Sequence, residues 1–266
     1  MSTLAHSSDA PILLRRDEGG VAYLTLNRPL QFNSLSREML EALIAAVDAI
    51  AKDTSVRVVV LAGEGKAFCA GHDLKEMRGN HSLKFQQELF KLCGKFMVKL
   101  TELPQPVIAR VHGIATAAGC QLVSMCDLAV AADVARFAVS GINVGLFCAT
   151  PSVGLSRNMG RKEAFEMLVT GDFIDAPEAQ RRGLVNRVVP LGQLDDEIAK
   201  LTASICAKSP LAIQMGKQMF YRQLEMGMEA AYQIAAETMA CNMMSEDAAE
   251  GIDAFIAKRK PEWRGR

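Results

Sequence analysis

The sequence predicts an α/β fold that ends in a helical tail, and three observations carry this. Short apolar runs bounded by glycine or proline alternate with segments whose apolar residues recur at helical spacing. Two of the runs, "VRVVVLAGEG" and "VIARVHG", are apolar without alternation, as strands covered on both faces are. From about Leu194 onward the strand-like runs stop and the pattern is helical to the end. The expected organisation is a core over residues 1–200 and a helical region over 201–266. With 266 residues, half of them hydrophobic, the chain can bury a sizeable core.

Taken in order, "PILLRRDEG" and "GGVAYLTLNRP" read as a hairpin. Ser36 then opens a helix in which Met39, Leu40, Leu43, Val47 and Ile50 share a face. After the strand "VRVVVLAGEG" comes the turn "KAFCAGHDL", then a helix over 83–103 ending at "LPQP". The strand "VIARVHG" leads into "ATAAGCQLVSMC", read as a tightly packed helix, and "DLAVAAD" is again a strand. "ARFAVSGINVGLFCATP" reads as a strand fragment and a long loop, with Thr150 as N-cap and Pro151 at the first helical position. "RKEAFEMLVTG" is a helix, and "DAPEAQRRGLVNRVVP" is helix, glycine stop and strand. The tail carries Met215, Met219, Met226, Met228, Met239, Met243 and Met244, a composition suited to a core or a subunit interface.

A formal net charge of zero gives no electrostatic reason to expect nucleic acid or an anionic membrane as partner. No apolar run is long enough for a membrane span. The seven cysteines are odd in number, irregularly spaced and without C-x-x-C, which reads as free thiols in a reducing compartment. The four histidines lack metal-ligand spacing, so no metal is expected. "MSTLAHSSDAP" has neither a secretory pattern nor the arginine content of a transit peptide, and a cytoplasmic location is the expectation.

Two turns share one logic. "VVVLAGEGKAFCAGHDL" and "VIARVHGIATAAGCQL" each place very small residues between a buried strand and a helix start. Small residues admit a ligand to the main chain, and N–H groups entering a helix are unpaired. Two such donors converging on one point can hold a carbonyl that gains negative charge. Either turn alone is also what an ordinary tight connection looks like. The glycines do not form G-x-G-x-x-G after the first strand, which argues against a dinucleotide fold.

The stretches "VAYLTLNRPLQFNSL", "KAFCAGHDLKEM", "PVIARVHGIATAAGCQLVSMCDLAVAAD", "GLVNRVVP" and "AFIAKRKPEW" resemble the enoyl-CoA hydratase/isomerase (crotonase) superfamily over nearly the whole chain. The resemblance implies a crotonase-like spiral of ββα units with a C-terminal helical oligomerisation region that builds a homotrimer or a dimer of trimers. It implies an acyl-CoA thioester as substrate or ligand, with no separately bound cofactor, and an enzyme of the lyase class in fatty acid metabolism. By position it puts oxyanion-hole N–H groups on His72 and Ala118 and the CoA path along Ala70, Gly71, Asp73 and Leu74. Phe255 and Lys258 match positions that meet CoA across a subunit boundary. Leu30 stands where hydratases often carry a lysine, which removes one phosphate contact.

The chain departs from the hydratase pattern at both glutamates of the general acid/base pair: Gln121 and Gly141 stand in their places. A glutamine cannot take a proton at neutral pH, and each lost group is worth about a hundredfold to ten-thousandfold in rate. His72, Cys148, Asn143, Ser140, Glu76 and His81 are the remaining candidates near the hole. For His72 the reading is a backbone role, its ring facing solvent or capping the next helix; for Cys148 it is a buried inert thiol. Asp127 reads as structural. Three functions stay open: hydration through a rearranged water site at Gln121, another thioester chemistry such as hydrolysis or decarboxylation, and acyl-CoA binding without chemistry.

Overall fold

The computed structural model describes residues 10–266. The reading of the N-terminal segment falls almost wholly on residues 1–9, outside the described part. The chain opens with the expected hairpin, β1 (Leu13–Glu18) antiparallel to β2 (Val21–Leu26) across Gly19-Gly20. Helix α1 (Arg37–Ile50) starts where Ser36 Oγ accepts the Met39 N–H. There follow β3 (Val58–Gly63), β4 (Ala67–Cys69), α2 (Leu74–Gly79) and α3 (Leu83–Glu102). Next come β5 (Val107–Val111), β6 (Ile114–Thr116) and α4 (Ala118–Met125). After β7 (Leu128–Ala132) and β8 (Arg136–Ala138) the chain forms α5 (Ala149–Asn158) and α6 (Arg161–Thr170). β9 (Ile174–Asp175), α7 (Ala176–Arg181) and β10 (Arg187–Val189) complete the core. Four helices end the chain: α8 (Leu194–Cys206), α9 (Pro210–Gln223), α10 (Met228–Met243) and α11 (Glu246–Ile256).

The strands form two sheets, β1-β2-β3-β5-β7-β10 and β4-β6-β8-β9. From β2 onward the larger sheet is parallel, and β4, β6 and β8 are parallel in the smaller one. Three successive passes, β3-β4, β5-β6 and β7-β8, thus lay one strand in the large sheet, one in the small sheet, and then turn into a helix. That repetition is the expected spiral of ββα units. Of the small sheet, β8 was expected as a strand fragment, but β4 and β6 were hidden from the periodicity reading, which took Ala115 and Thr116 into the α4 segment; a strand that short has no alternation to detect.

The unbroken apolar run of β3 is explained by its two faces. Val58 and Val60 pack with Val21, Ile108 and Val130 against Leu194 and Ile198 of α8. Val59 and Leu61 face the other way, into the core shared with α1, α3 and α4. Helix α5 begins at Ala149, not after Thr150: the Cys148 carbonyl already accepts the Ser152 N–H at 3.0 Å. Pro151 therefore stands third in the helix, still among the first four residues whose N–H has no intrahelical acceptor.

The tail is fastened to the core by a buried charge. Lys217 of α9 is 8% exposed, and its Nζ donates to Asp127 Oδ2 (2.6 Å) and to the carbonyls of Leu100 (2.8 Å) and Gln105 (3.0 Å). Tyr221 Oη donates to Asp127 Oδ1, and Asp127 Oδ2 also accepts the Val107 N–H. Asp127 is structural, as its place at a strand start suggests. Helix α10, in contrast, buries no residue, and Met228, Tyr232 and Met239 on it are each about 70% or more exposed. No helix among the described residues is long and apolar enough to cross a membrane.

Candidate active site

The two turns singled out in the sequence lie against each other. Gly71 follows β4 with φ +97°, a backbone that side-chain-bearing residues rarely adopt, and a Cβ there would come within 2.8 Å of Ala117 Cβ. A Cβ at Gly119 would overlap the Cys69 carbonyl oxygen, so glycine is what lets α4 approach β4. The first turn is held from outside by the segment 32–35, which runs beside it as a short parallel bridge. The Leu35 N–H donates to the Gly71 carbonyl (2.7 Å), and the N–H of Asp73 donates back to Leu35 (3.3 Å).

This pairing skips the His72 N–H, which has no acceptor among the described residues. The Ala118 N–H, at the first residue of α4, has none either. Ala117 takes φ 51° and ψ −120°, a strained conformation for a residue with a Cβ. Its own N–H is fixed to the Ala138 carbonyl at 3.0 Å, so the strain is held by the sheet behind it.

His72 and Ala118 line the same cavity, of about 370 Å³. Ala70, Leu74, Gly141, Cys148 and Ser140 also line it, and apart from Thr150 the rest of the wall is apolar, including Met77, Phe90, Leu146 and Phe147. Among the described residues no aspartate or glutamate lines it, and no group of side chains suited to a metal ion occurs. The His72 ring is not turned to solvent and does not cap α2, which corrects the reading of the sequence. It packs edge-on against Phe90 at 5.4 Å, and Asp73 caps α2. Nδ1 donates to the Leu35 carbonyl at 3.3 Å, which leaves Nε2 as an acceptor, buried and unpartnered. Burial lowers the His72 pKa, against the opposing pull of the Leu35 bond.

The positions of the two absent glutamates differ. Gly141 is on the cavity wall, but a Cβ there would meet the Leu146 carbonyl oxygen at 2.6 Å and Cys148 Sγ at 2.7 Å. Gln121 is 3% exposed, its Oε1 has no partner, and it is not among the lining residues. Cys148 Sγ donates to the Val139 carbonyl, and burial pushes its thiol pKa up, so it is protonated at neutral pH.

Other predicted positions fall outside the cavity. Asp73 gives its carboxylate to the first turn of α2 and to Arg28 (3.1 Å). Glu76 accepts the Arg37 N–H, Asn143 Nδ2 points to the Gly171 carbonyl, and His81 is exposed. Leu30 and Phe255 are 79% and 84% exposed, and Lys258 is exposed beside Phe255. Within one chain the structure does not bring these three to His72. The reading of the sequence missed Asn33, which is fully buried. Its Nδ2 donates to the Glu64 and Ala67 carbonyls (2.8 Å each) and its Oδ1 accepts the Arg28 N–H, fixing the connection that leads into β4. An isolated asparagine in "QFNSL", just before a helix cap, was the available signal.

The family model described as enoyl-CoA hydratase/isomerase matches residues 16–266. The chain is 42% identical to enoyl-CoA hydratase domain-containing protein 3, mitochondrial, of Xenopus laevis, over 99% of this chain and 90% of the relative. The human protein of that name is also 42% identical, over 93% of this chain and 82% of its own length. A crystal structure of an enoyl-CoA hydratase from Mycobacterium smegmatis superposes with a TM-score of 0.94 at 62% identity, covering 96% of this chain and 99% of that one. The crystal structure of human enoyl-CoA hydratase domain-containing protein 3 gives a TM-score of 0.93 at 41% identity, over 95% and 100% of the two chains. The cytoplasmic expectation does not survive these matches, because the frog and human relatives are mitochondrial by name. It rested on the first residues and on free thiols that fit any reducing compartment, and neither separates the cytoplasm from the mitochondrion. Family model, relatives and fold together place the chain in the enoyl-CoA hydratase/isomerase (crotonase) family.

Proposed function

We propose that this protein binds an acyl-CoA or enoyl-CoA thioester with the thioester carbonyl between the N–H groups of His72 and Ala118. The observation that carries the reading is that two unpaired N–H donors, on turns in contact with each other, border one largely apolar cavity. Such a pair polarises the carbonyl and stabilises negative charge that develops on it. The ligand is the CoA thioester itself, with no further cofactor. Ala70, Gly71 and Leu74 would flank the pantetheine arm. Phe255 and Lys258 would contribute from a neighbouring subunit, and the exposed apolar face of α10 supports assembly into a trimer or a pair of trimers.

Hydratase activity of this protein is weak on this reading, since no carboxylate borders the cavity among the described residues. Restoring both glutamates would not rescue it simply: the Gly141 position is filled by the backbone of Leu146 and by Cys148. The lack of carboxylates favours a second reading, an acyl-CoA binder that performs no hydration.

The test pairs two measurements on the wild type and on Ala118→Pro. Proline fits the first position of a helix but has no N–H to donate. Calorimetry with butanoyl-CoA should show binding that weakens at least tenfold in the variant while its unfolding temperature holds. Loss of crotonyl-CoA absorbance should stay near the no-protein blank for the wild type. Equal affinity in a folded Ala118→Pro variant would overturn the assignment of the donors. Rapid crotonyl-CoA turnover would instead show that a titratable group, with His72 the first candidate, has taken over the acid/base work.

A further inference from the structure

Phe147 borders two spaces at once. It lines the 370 Å³ cavity, and it lines a surface groove of about 830 Å³ along α5 and α6, where Phe165, Leu168 and Val169 lie among Arg161, Lys162 and Glu166. The backbone around it is pinned. Leu146 N–H donates to the Gly141 carbonyl (2.9 Å), Ala149 N–H donates to the Phe147 carbonyl (2.7 Å), and Cys148 Sγ donates to the Val139 carbonyl. The Phe147 residue itself is 47% exposed. A fixed main chain thus presents one aromatic side chain as a wall with cavity on one side and, on the other, a groove whose apolar residues are rimmed by charged ones.

We propose that Phe147 is the partition that sets the upper length of the acyl chain this site accepts. The inference rests on the thioester reading above, since it takes the apolar part of the cavity as the seat of the acyl group. A methylene fills about as much space as a water, ~30 Å³ with the packing space included, so the cavity has room for roughly twelve such groups, the thioester head and the end of the pantetheine arm among them. Short and medium chains fit within the partition. Longer chains meet the Phe147 ring, and past it they would find the groove over Phe165 and Val169. Each seated methylene is worth about fourfold in affinity, so the limit is readable as a break in a chain-length series.

The experiment is a calorimetric titration of the full-length chain with butanoyl-, octanoyl-, dodecanoyl- and hexadecanoyl-CoA, kept below their micelle concentrations. Wild-type affinity should climb from butanoyl to octanoyl and gain nothing further. In Phe147→Ala the ratio of dodecanoyl to butanoyl affinity should rise at least tenfold. Phe147→Trp should move the break to shorter chains, and this arm decides if the alanine variant does not fold. Adding Phe165→Glu to Phe147→Ala should remove most of the dodecanoyl gain. An unchanged dodecanoyl-to-butanoyl ratio in Phe147→Ala would overturn the inference. So would a gain accompanied by an altered sedimentation coefficient, because the groove would then be a seat for a second copy of the chain. If the wild type binds none of the four thioesters, the reading of the cavity itself fails. Butanoyl binding with no dependence on Phe147 defeats only the partition.

Discussion

Helix α4 joins two regions that treat polar groups in opposite ways. At its N-terminal end the Ala118 N–H has no acceptor, the neighbouring His72 N–H has none, and the walls around them are apolar. Just past its C-terminal end, Asp127 uses both carboxylate oxygens, on Lys217, Tyr221 and the Val107 N–H. Ala118 at one end and Lys217 at the other are both buried. A buried charge with every partner present is a fastening, here of the tail to the core. Unpaired donors beside an apolar space are instead poised for a ligand. Charge and burial alone would have pointed to the wrong end of the helix.

The sharpest way to break the comparison is at the fastened end. Lys217→Ala leaves the Asp127 carboxylate partly buried without its cation, and a broken buried pair costs about 3–5 kcal/mol. Unfolding in denaturant should show that loss, with α9 detaching first by amide exchange. A cost below about 1 kcal/mol would mean that water reaches Asp127, and the contrast between the two ends would dissolve. Asp127→Asn in the Lys217→Ala background should recover part of the loss, since the neutral amide is cheaper to bury.

At the open end the largest effect belongs to Gly119→Ala. The added methyl overlaps the Cys69 carbonyl and must push α4 away from β4. Overpacking of this kind costs about 1–3 kcal/mol, and it should also separate the Ala118 and His72 donors. The expected signature is a loss of acyl-CoA affinity larger than the loss of stability would produce. Full affinity in this variant would show that the two donors do not act together.

Much of this was legible in the sequence for identifiable reasons. Strands β3 and β5 and helix α1 announced themselves because burial on one or both faces fixes their residue types. The two turns were legible because close backbone approach tolerates only small residues, as at Gly71 and Gly119. Positions that depend on the path of a loop were not legible. Gly141 reads as a missing carboxylate, but in the fold it is the place where Leu146 and Cys148 close over the chain. Phe147 lies in an irregular segment with no period to read, and its double exposure exists only once α5 and α6 are packed. The His72 ring was misjudged because its neighbours, Phe90 and the Leu35 carbonyl, come from distant parts of the chain.

His72 gives a pH test. An unfolded histidine titrates near pH 6.5, and burial holds the folded value lower. Between those two values the unfolded chain carries more protons, so stability is intact above about pH 6.5 and falls as pH drops towards the folded value. His112, also lowered by burial, adds to the same trend. Replacing His72 by Gln keeps a donor for the Leu35 carbonyl and removes the titration. The loss of unfolding free energy between about pH 8 and about pH 5 should therefore shrink in His72→Gln. An undiminished loss would mean that the ring is solvated, and the apolar character assigned to this end would be wrong.

The smallest effect tests whether the open end is under strain. Ala117 holds φ 51° and ψ −120°, and glycine reaches that region without the Cβ penalty. Relief of strain, offset by the greater freedom of glycine in the unfolded chain, should leave Ala117→Gly more stable by up to about 1 kcal/mol. For a chain of this size that is an upward shift of roughly 2–4 °C in unfolding temperature. The same substitution removes the methyl that abuts Gly71 and so loosens the angle at which the Ala118 N–H is presented. A variant that is more stable yet binds acyl-CoA less tightly would show that this end of α4 gives up stability to aim its donor. A variant that is less stable would show that Ala117 is relaxed where it stands, and that only the missing acceptors distinguish this end of the helix from the other.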